Sequence, residues 1–304
     1  MTLRDVAAAS GVAESTVSFV LRDDPRQKVT EATRERVRKA ARELGYVPHG
    51  IARALMEGTS RTVVFMIDPA LEGHYSHRFI RGLDRELQDQ GFMLLVRHGR
   101  SSPASVQQIR DVIAPRAVIE FGDAYMSGHV LDDSGEGWRN GMAAHISAQF
   151  GYLADKGHRT IAMCLPARDT PLADVRLKFA SDVVANLKLE LSPPLLVPPD
   201  RQRAAQALQS FRAEHPGVSA LAGSDDRTAL RTLTAMRDLR LRAPDDLAVI
   251  GYDETAYAEL SDPGLTTVRA DSEAHGRLAA RRALGLDAAD VTVAPGQVIV
   301  RQSA

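Results

Sequence analysis

The sequence predicts an all-α head of about sixty residues joined to an α/β core of two doubly wound lobes with parallel sheets. Three observations predict it. Up to Ser60, apolar residues recur at helical spacing between polar turns, and nothing alternates as a strand does. From Arg61 onward, apolar runs recur at residues 63–67, 92–96, 117–121, 160–165, 220–222, 247–250 and 298–300. Between them lie segments of helical spacing, such as Phe79, Ile80, Leu83, Leu87 and Ala229, Leu230, Leu233, Met236. Strand alternating with helix is the rhythm of parallel sheets covered on both faces. The 304 residues also exceed what one hydrophobic core usually fills, which leaves room for two lobes and a head.

In the head, Thr2-Leu3-Arg4-Asp5 predicts a capped first helix, with the Thr2 hydroxyl over the first turn and Asp5 reaching back. Leu3, Val6, Ala7 and Ser10 share one face. Gly11 ends the helix, because glycine accepts the left-handed backbone of a sharp turn. A second helix over residues 14–22 buries Val17, Val20 and Leu21 and turns Glu14, Ser15, Ser18, Phe19 and Arg22 outward. Two short helices about a glycine turn make a helix-turn-helix. A third helix, capped by Thr30, sets Thr33, Val37, Ala40, Ala41 and Leu44 on one side and Arg34, Arg38, Lys39 and Arg42 towards solvent.

In a DNA major groove, Ser15, Thr16 and Ser18 are short enough to let the backbone approach phosphates. There Arg22 can bond guanine or phosphate, Phe19 can lie on a thymine methyl, and Glu14 can accept from cytosine N4. The alternative is that Phe19 packs into the head's own core while the serines only solvate the helix.

Composition narrows the function classes. With 44% hydrophobic and 25% charged residues the chain is an ordinary globular one, neither disordered nor collagen-like. Its only cysteine, Cys164, excludes an internal disulfide and fits a reducing cytoplasm. Met1 is followed by Thr2-Leu3-Arg4-Asp5 with no basic start running into an apolar core, so no secretory signal is expected. No run approaches the length of a membrane span, so no membrane partner is expected. The formal net charge is −1, which by itself advertises no polyanion partner. Residues 1–60, however, hold ten basic and eight acidic side chains, a net of +2 that leaves −3 for the rest.

The stretch Thr2-Leu3-x-Asp5-Val6-Ala7-x-x-x-Gly11-Val12-x-x-x-Thr16-Val17-Ser18-x-Val20-Leu21, followed by Thr33-Arg34-Glu35-x-Val37 and Leu44-Gly45-Tyr46-x-Pro48, resembles the LacI/GalR family of bacterial regulators. The resemblance continues through Gly157-His158-Arg159-Thr160-Ile161-Ala162, the run at residues 239–253 and Leu265-Thr266-Thr267-Val268. It implies a helix-turn-helix DNA-binding domain (1–48), a hinge helix and linker (49–60), and a two-lobed core of the type I periplasmic-binding-protein-like kind (61–304). The first lobe would take about 61–140 plus 270–285, and the second about 141–269 plus 286–304. It also implies a homodimer on a near-palindromic operator in double-stranded DNA, contacted by Glu14, Ser15, Thr16, Ser18, Phe19, Arg22, Thr30, Thr33, Tyr46, His49, Ala52, Leu55 and Met56. The segment 49–57 is too short to be a stable helix alone and is expected to fold against DNA and a partner copy. Leu55 would then be the wedge that unstacks a central base step. Phe19, Arg22 and His49 depart from the family's usual residues, so base preference does not carry over.

In the core, the resemblance implies a small sugar-like effector between the lobes, where the carboxyl ends of α/β strands also favour a ligand. Arg176, Asp225 and Asp253 match effector contacts in relatives, and His74 and Tyr75, in the loop after the first core strand, are candidates for the other lip. Arginine beside carboxylates suits neighbouring hydroxyls; the alternative is a structural ion pair between Arg176 and Asp225 or Asp253. After residue 121 only residues 122–131 precede the polar run 132–137, so the first lobe is expected to be shortened.

Enzyme and cofactor signatures are missing. Gly135-x-Gly137 lacks the third glycine of a dinucleotide loop, and neither a Walker lysine loop nor a Gly-x-Ser-x-Gly elbow occurs. His74-x-x-His77 has no third ligand, so neither a metal nor any other cofactor is expected. The remaining alternatives are a solute-binding protein of the same core fold and a regulator that has lost effector control.

Overall fold

A computed structural model describes residues 1–22, 29–46, 60–121, 142–167 and 171–304. The expected hinge at 49–57, with His49, Ala52, Leu55 and Met56, lies outside the described residues, as do the side chain of Arg22 and the segment 122–141. The chain forms two compact units, one of residues 1–61 with 108–116 and one of residues 62–107 with 117–304. Residues 108–116 join the first through a bond from the Ser60 amide to the Ala114 carbonyl, 2.6 Å.

The head holds α1 (Leu3–Ser10), α2 (Glu14–Arg22) and α3 (Glu31–Glu43). Thr2 and Asp5 cap α1 reciprocally, and Gly11 at φ 63° closes it. Val6, Ala7, Val17, Val20, Val37, Ala40 and Ala41 form its buried core, with Leu3, Leu21, Leu44 and Tyr46 packed around them. The apolar spacing of all three helices therefore converges on one small core.

The first lobe of the larger unit is a parallel sheet ordered β2-β1-β3, from β1 (Thr62–Ile67), β2 (Met93–His98) and β3 (Ala117–Phe121). Helix α4 (His74–Asp89) crosses from β1 to β2, and α5 (Pro103–Ile113) leads from β2 to β3. The second lobe begins with α6 (Met142–Asp155), β4 (Thr160–Pro166) and α7 (Pro171–Leu187). It continues through β5 (Glu190–Leu191), β6 (Leu195–Val197), α8 (Arg201–Glu214), β7 (Ala220–Gly223), α9 (Asp226–Asp238), β8 (Ala248–Ile250) and the short α10 (Tyr257–Leu260). Its parallel sheet runs β5-β4-β7-β8, with β6 also pairing β4. Residues 195–197, outside the apolar runs named above, thus form a strand. Two short antiparallel strands, β9 (Thr267–Arg269) and β10 (Gln297–Ile299), flank α11 (Ser272–Leu284).

The continuous apolar run of β4 has a direct cause. Ile161, Met163 and Leu165 face a core with α6 and α7, whereas Ala162 and Cys164 face one with α8 and α9. A strand covered on both faces has no polar side to alternate with.

Helix α11 returns to the first lobe and packs on α4. Glu86 is 3% exposed, and its carboxylate accepts from Arg277 Nε at 3.0 Å and Arg281 Nε at 2.6 Å. Glu86→Ala is expected to cost about 2 kcal/mol, because it strips two arginines of their buried partner. Thermal melts of the two proteins check this, and an unchanged melting temperature would refute it.

Candidate ligand cleft and recognition helix

On α2, Glu14 and Ser15 are exposed, while Thr16, Ser18 and Phe19 are half-buried; Phe19 is thus less outward than the helical spacing predicts. Thr30 Oγ1 caps α3 by accepting from the Thr33 amide and lies 2.9 Å from Thr33 Oγ1. Tyr46 is half-buried beside the head core, its amide bonded to the Ala41 carbonyl at 2.9 Å.

In the larger unit, a cleft of about 640 Å³ opens at the carboxyl ends of the strands of both lobes. His74, Tyr75 and Phe121 line it from the first lobe, and Arg176, Asp225 and Asp253 from the second. His74 and Tyr75 do not lie in a loop: they open α4, because Ser76 Oγ accepts from the Gly73 amide (2.9 Å) and donates to the Gly73 carbonyl (3.0 Å) and so starts the helix there. Tyr75 Oη lies 2.9 Å from His275 Nδ1, and its ring centre is 6.4 Å from that of Phe121. That wall is aromatic. Burial holds the His74 imidazole below its ordinary range, with Arg78 adding to the effect.

The second wall is polar. Asp225 caps α9, its Oδ1 accepting from the Thr228 amide at 2.6 Å. The Arg176 guanidinium stacks 4.3 Å from the centre of the buried Tyr252 ring, an arrangement favoured by the negative face of the π system. Asp253 does not end a strand, since β8 closes at Ile250; it occupies the following turn at φ 112°, a left-handed backbone unusual for any residue but glycine. Asp253 Oδ1 and Ser224 Oγ are buried polar atoms without hydrogen-bond partners among the described residues. Burial pushes the Asp253 carboxyl well above the usual carboxylate range; Arg176 opposes that rise, and Asp225 and Asp226 add to it. The buried Asp226 accepts from the amide (2.6 Å) and hydroxyl (2.9 Å) of Thr255 and from Thr267 Oγ1, anchoring the loop that carries Thr255 to the cleft.

Fixed guanidinium donors, carboxylate acceptors and an aromatic face opposite them suit a small polar ligand that offers hydroxyls and an apolar ring face. Ser224, Asp226, Tyr252 and Phe121 belong to this arrangement although sequence reasoning assigned them no role. The local signal was there for the first two: Ser224-Asp225-Asp226 places three polar residues directly after a buried strand.

The comparisons with known proteins cover both units. Residues 2–49 match the family described as bacterial regulatory proteins, lacI family, and residues 150–304 match the periplasmic binding protein-like domain. Among curated proteins, the chain is 28% identical over 315 residues to the HTH-type transcriptional regulator CelR of Thermobifida fusca, spanning 92% of this chain and 90% of that protein. It is 25% identical to the HTH-type transcriptional repressor CytR of Escherichia coli K12, over 88% of this chain and 84% of that one. Among solved structures, the lac repressor dimer bound to operator and the anti-inducer ONPF superposes with a TM-score of 0.76 at 21% identity, covering 100% of this chain and 98% of that chain.

Proposed function

The chain belongs to the lacI family of bacterial regulatory proteins, and from that premise we propose that it is a DNA-binding transcriptional repressor that acts as a homodimer in the cytoplasm and is controlled by a small sugar-like effector in the cleft. The observation that carries the reading is the union in one chain of a helix-turn-helix head and a cleft where Tyr75 of one lobe faces Arg176, Asp225 and Asp253 of the other. A ligand that touches both lobes favours one lobe angle over another. By that preference it shifts an existing equilibrium between DNA-competent and incompetent forms.

On this reading the segment 49–57, which lies outside the described residues, transmits the change to the operator, with Leu55 as its minor-groove contact. A solved structure of similar fold is a transcriptional regulator CelR-cellobiose complex, at a TM-score of 0.60 and 24% identity, which makes cellobiose a reasonable first probe. With a net charge of only +2 on residues 1–60, nonspecific affinity is modest and specificity rests on paired half-sites.

Selection of genomic fragments by the purified full chain tests the reading. Enrichment of one near-palindromic site is expected, and Leu55→Ala weakens binding to that site about tenfold or more. Enrichment no greater than for bulk DNA would overturn the reading. Thermal shift with cellobiose, lactose, ribose and cytidine then separates an effector-controlled regulator, whose melting temperature rises with one of them, from one that has lost its control.

A further inference from the structure

Gln149 lies on α6 with its side chain fully buried. Its one amide group donates to backbone carbonyls at the ends of two different strands, Gly223, the last residue of β7, at 3.0 Å and Gly251, the residue after β8, at 3.0 Å, with Ile250 at 3.4 Å. These carbonyls sit where β7 and β8 part: the register of the pair ends at Ala222 opposite Ile250. Beyond that point Ser224 turns to bond the Cys164 carbonyl, and Gly251 turns to bond that of Thr266.

The placement is symmetrical about the cleft. Asp225 stands two residues after Gly223, and Asp253 two residues after Gly251, and both line the cleft. The two glycines have no room for a side chain, since a Cβ on Gly251 would lie 2.2 Å from Asp226 Oδ1 and one on Gly223 would lie 2.9 Å from the Ala229 Cβ. The floor is thus tight on the side of α9 and held by Gln149 on the side of α6. One helical turn before Gln149, His145 touches the same second turn, its Nδ1 3.3 Å from Tyr252 Oη.

We propose that Gln149 is a positioning residue of the cleft: by joining the Gly223 and Gly251 carbonyls through one amide, it fixes how far apart Asp225 and Asp253 are held. The relevance of this spacing to ligand uptake rests on the ligand reading above; the spacing itself does not. Without the amide, the strand ends beyond Ala222 and Ile250 lose their cross-brace while the sheet below keeps its own ladder.

Hydrogen exchange of the unliganded full chain decides it. In Gln149→Met, which keeps the length and loses both donors, the amides of residues 224–226 and 251–253 are expected to exchange at least tenfold faster than in the native chain. Those of residues 161–163 and 63–67 stay unchanged. A uniform rise across the second lobe, or no rise, overturns the proposal and leaves Gln149 as ordinary packing. If Gln149→Met does not fold, Gln149→Asn retains the amide on a shorter stem and is read the same way, with the same localised acceleration expected. Titration with cellobiose is run beside it. A native chain that binds cellobiose while Gln149→Met binds at least tenfold more weakly supports the positioning role. Equal binding by both overturns it. A native chain that binds neither this probe nor the others counts against the ligand reading, and the exchange pattern still decides the role of Gln149.

Discussion

Gly276→Ala is expected to lower the stability of the core by about 3 kcal/mol, a fall of roughly 6–12 °C in its melting temperature. A Cβ at Gly276 would lie 2.0 Å from the Phe79 carbonyl oxygen and 2.7 Å from the Leu83 amide nitrogen, both on the backbone of α4. Backbone cannot swing aside as the end of a side chain can, so α11 must move away. The contact is reciprocal, because a Cβ at Gly82 of α4 would lie 2.0 Å from the Glu273 carbonyl oxygen of α11. Each helix therefore presents a glycine to the other's backbone, and Leu83, Leu87, Ala280 and Leu284 close around that approach.

Gly151→Ala on α6 is the control: its added Cβ meets nothing within 4 Å, so it is expected to be neutral or to stabilise slightly, as glycine is a poor helix residue. Thermal melts of the three proteins check the pair of expectations. A Gly276→Ala chain that melts with the native one would show that the two helices tolerate separation. Because α4 carries Tyr75 and α11 carries His275, its bonded partner at 2.9 Å, loosening this contact also loosens the aromatic wall of the cleft.

How much of this was legible in the sequence depends on whether a feature is set locally. The head was legible because its caps are local: Thr2 with Asp5, Gly11 at a left-handed turn, and Thr30 with Thr33 lie within a few residues of each other. Strands β1, β4, β7 and β8 were legible because burial on both faces leaves unbroken apolar runs. Strand β6 was missed because prolines surround it; only its pairing with residues 164–166 of β4 makes it a strand. Asp225 and Arg176 were reached through family resemblance, not periodicity.

Gln149 and His145 were not reached, although both stand in phase with Ile146, Phe150 and Leu153 on the buried face of α6. A polar residue on an apolar stripe signals a buried partner, but the partners are carbonyls some 74 and 102 residues away, and no local pattern names them. The placing of Phe19 shows the same limit, since helical spacing sets a direction and the surrounding head determines how far the ring is covered.

Two titratable groups of the second lobe, His145 and Asp253, are expected to give the core opposite pH slopes. His145 is 1% exposed, and burial, with His275 and Arg176 nearby, holds its imidazole down at about 4. A base whose folded pKa lies below its unfolded one contributes stability above about pH 6.5 and loses it as the pH falls through about 4, a change on the order of 3 kcal/mol. Asp253 runs the other way. Its folded pKa is raised by burial, so its neutral acid is tolerated below the unfolded value of about 3.9, and stability is lost as the pH rises from there through the raised value.

Asp253→Asn keeps the shape and removes the ionisation, so it is expected to leave the melting temperature near pH 4 almost unchanged, raise it by several degrees at pH 8 and flatten the alkaline arm. His145→Asn is expected to flatten the acid arm between pH 6.5 and 4. Melts of both variants from pH 4 to pH 8 at constant ionic strength check the signs, and an Asp253→Asn chain that melts lower at pH 8 would show that the carboxylate is compensated in the native cleft. Arg176 faces both groups, so the double variant tests whether the two slopes are independent. Non-additive melts would mean that the Arg176 charge is shared between them, in which case ligand uptake at Arg176 would change both slopes together.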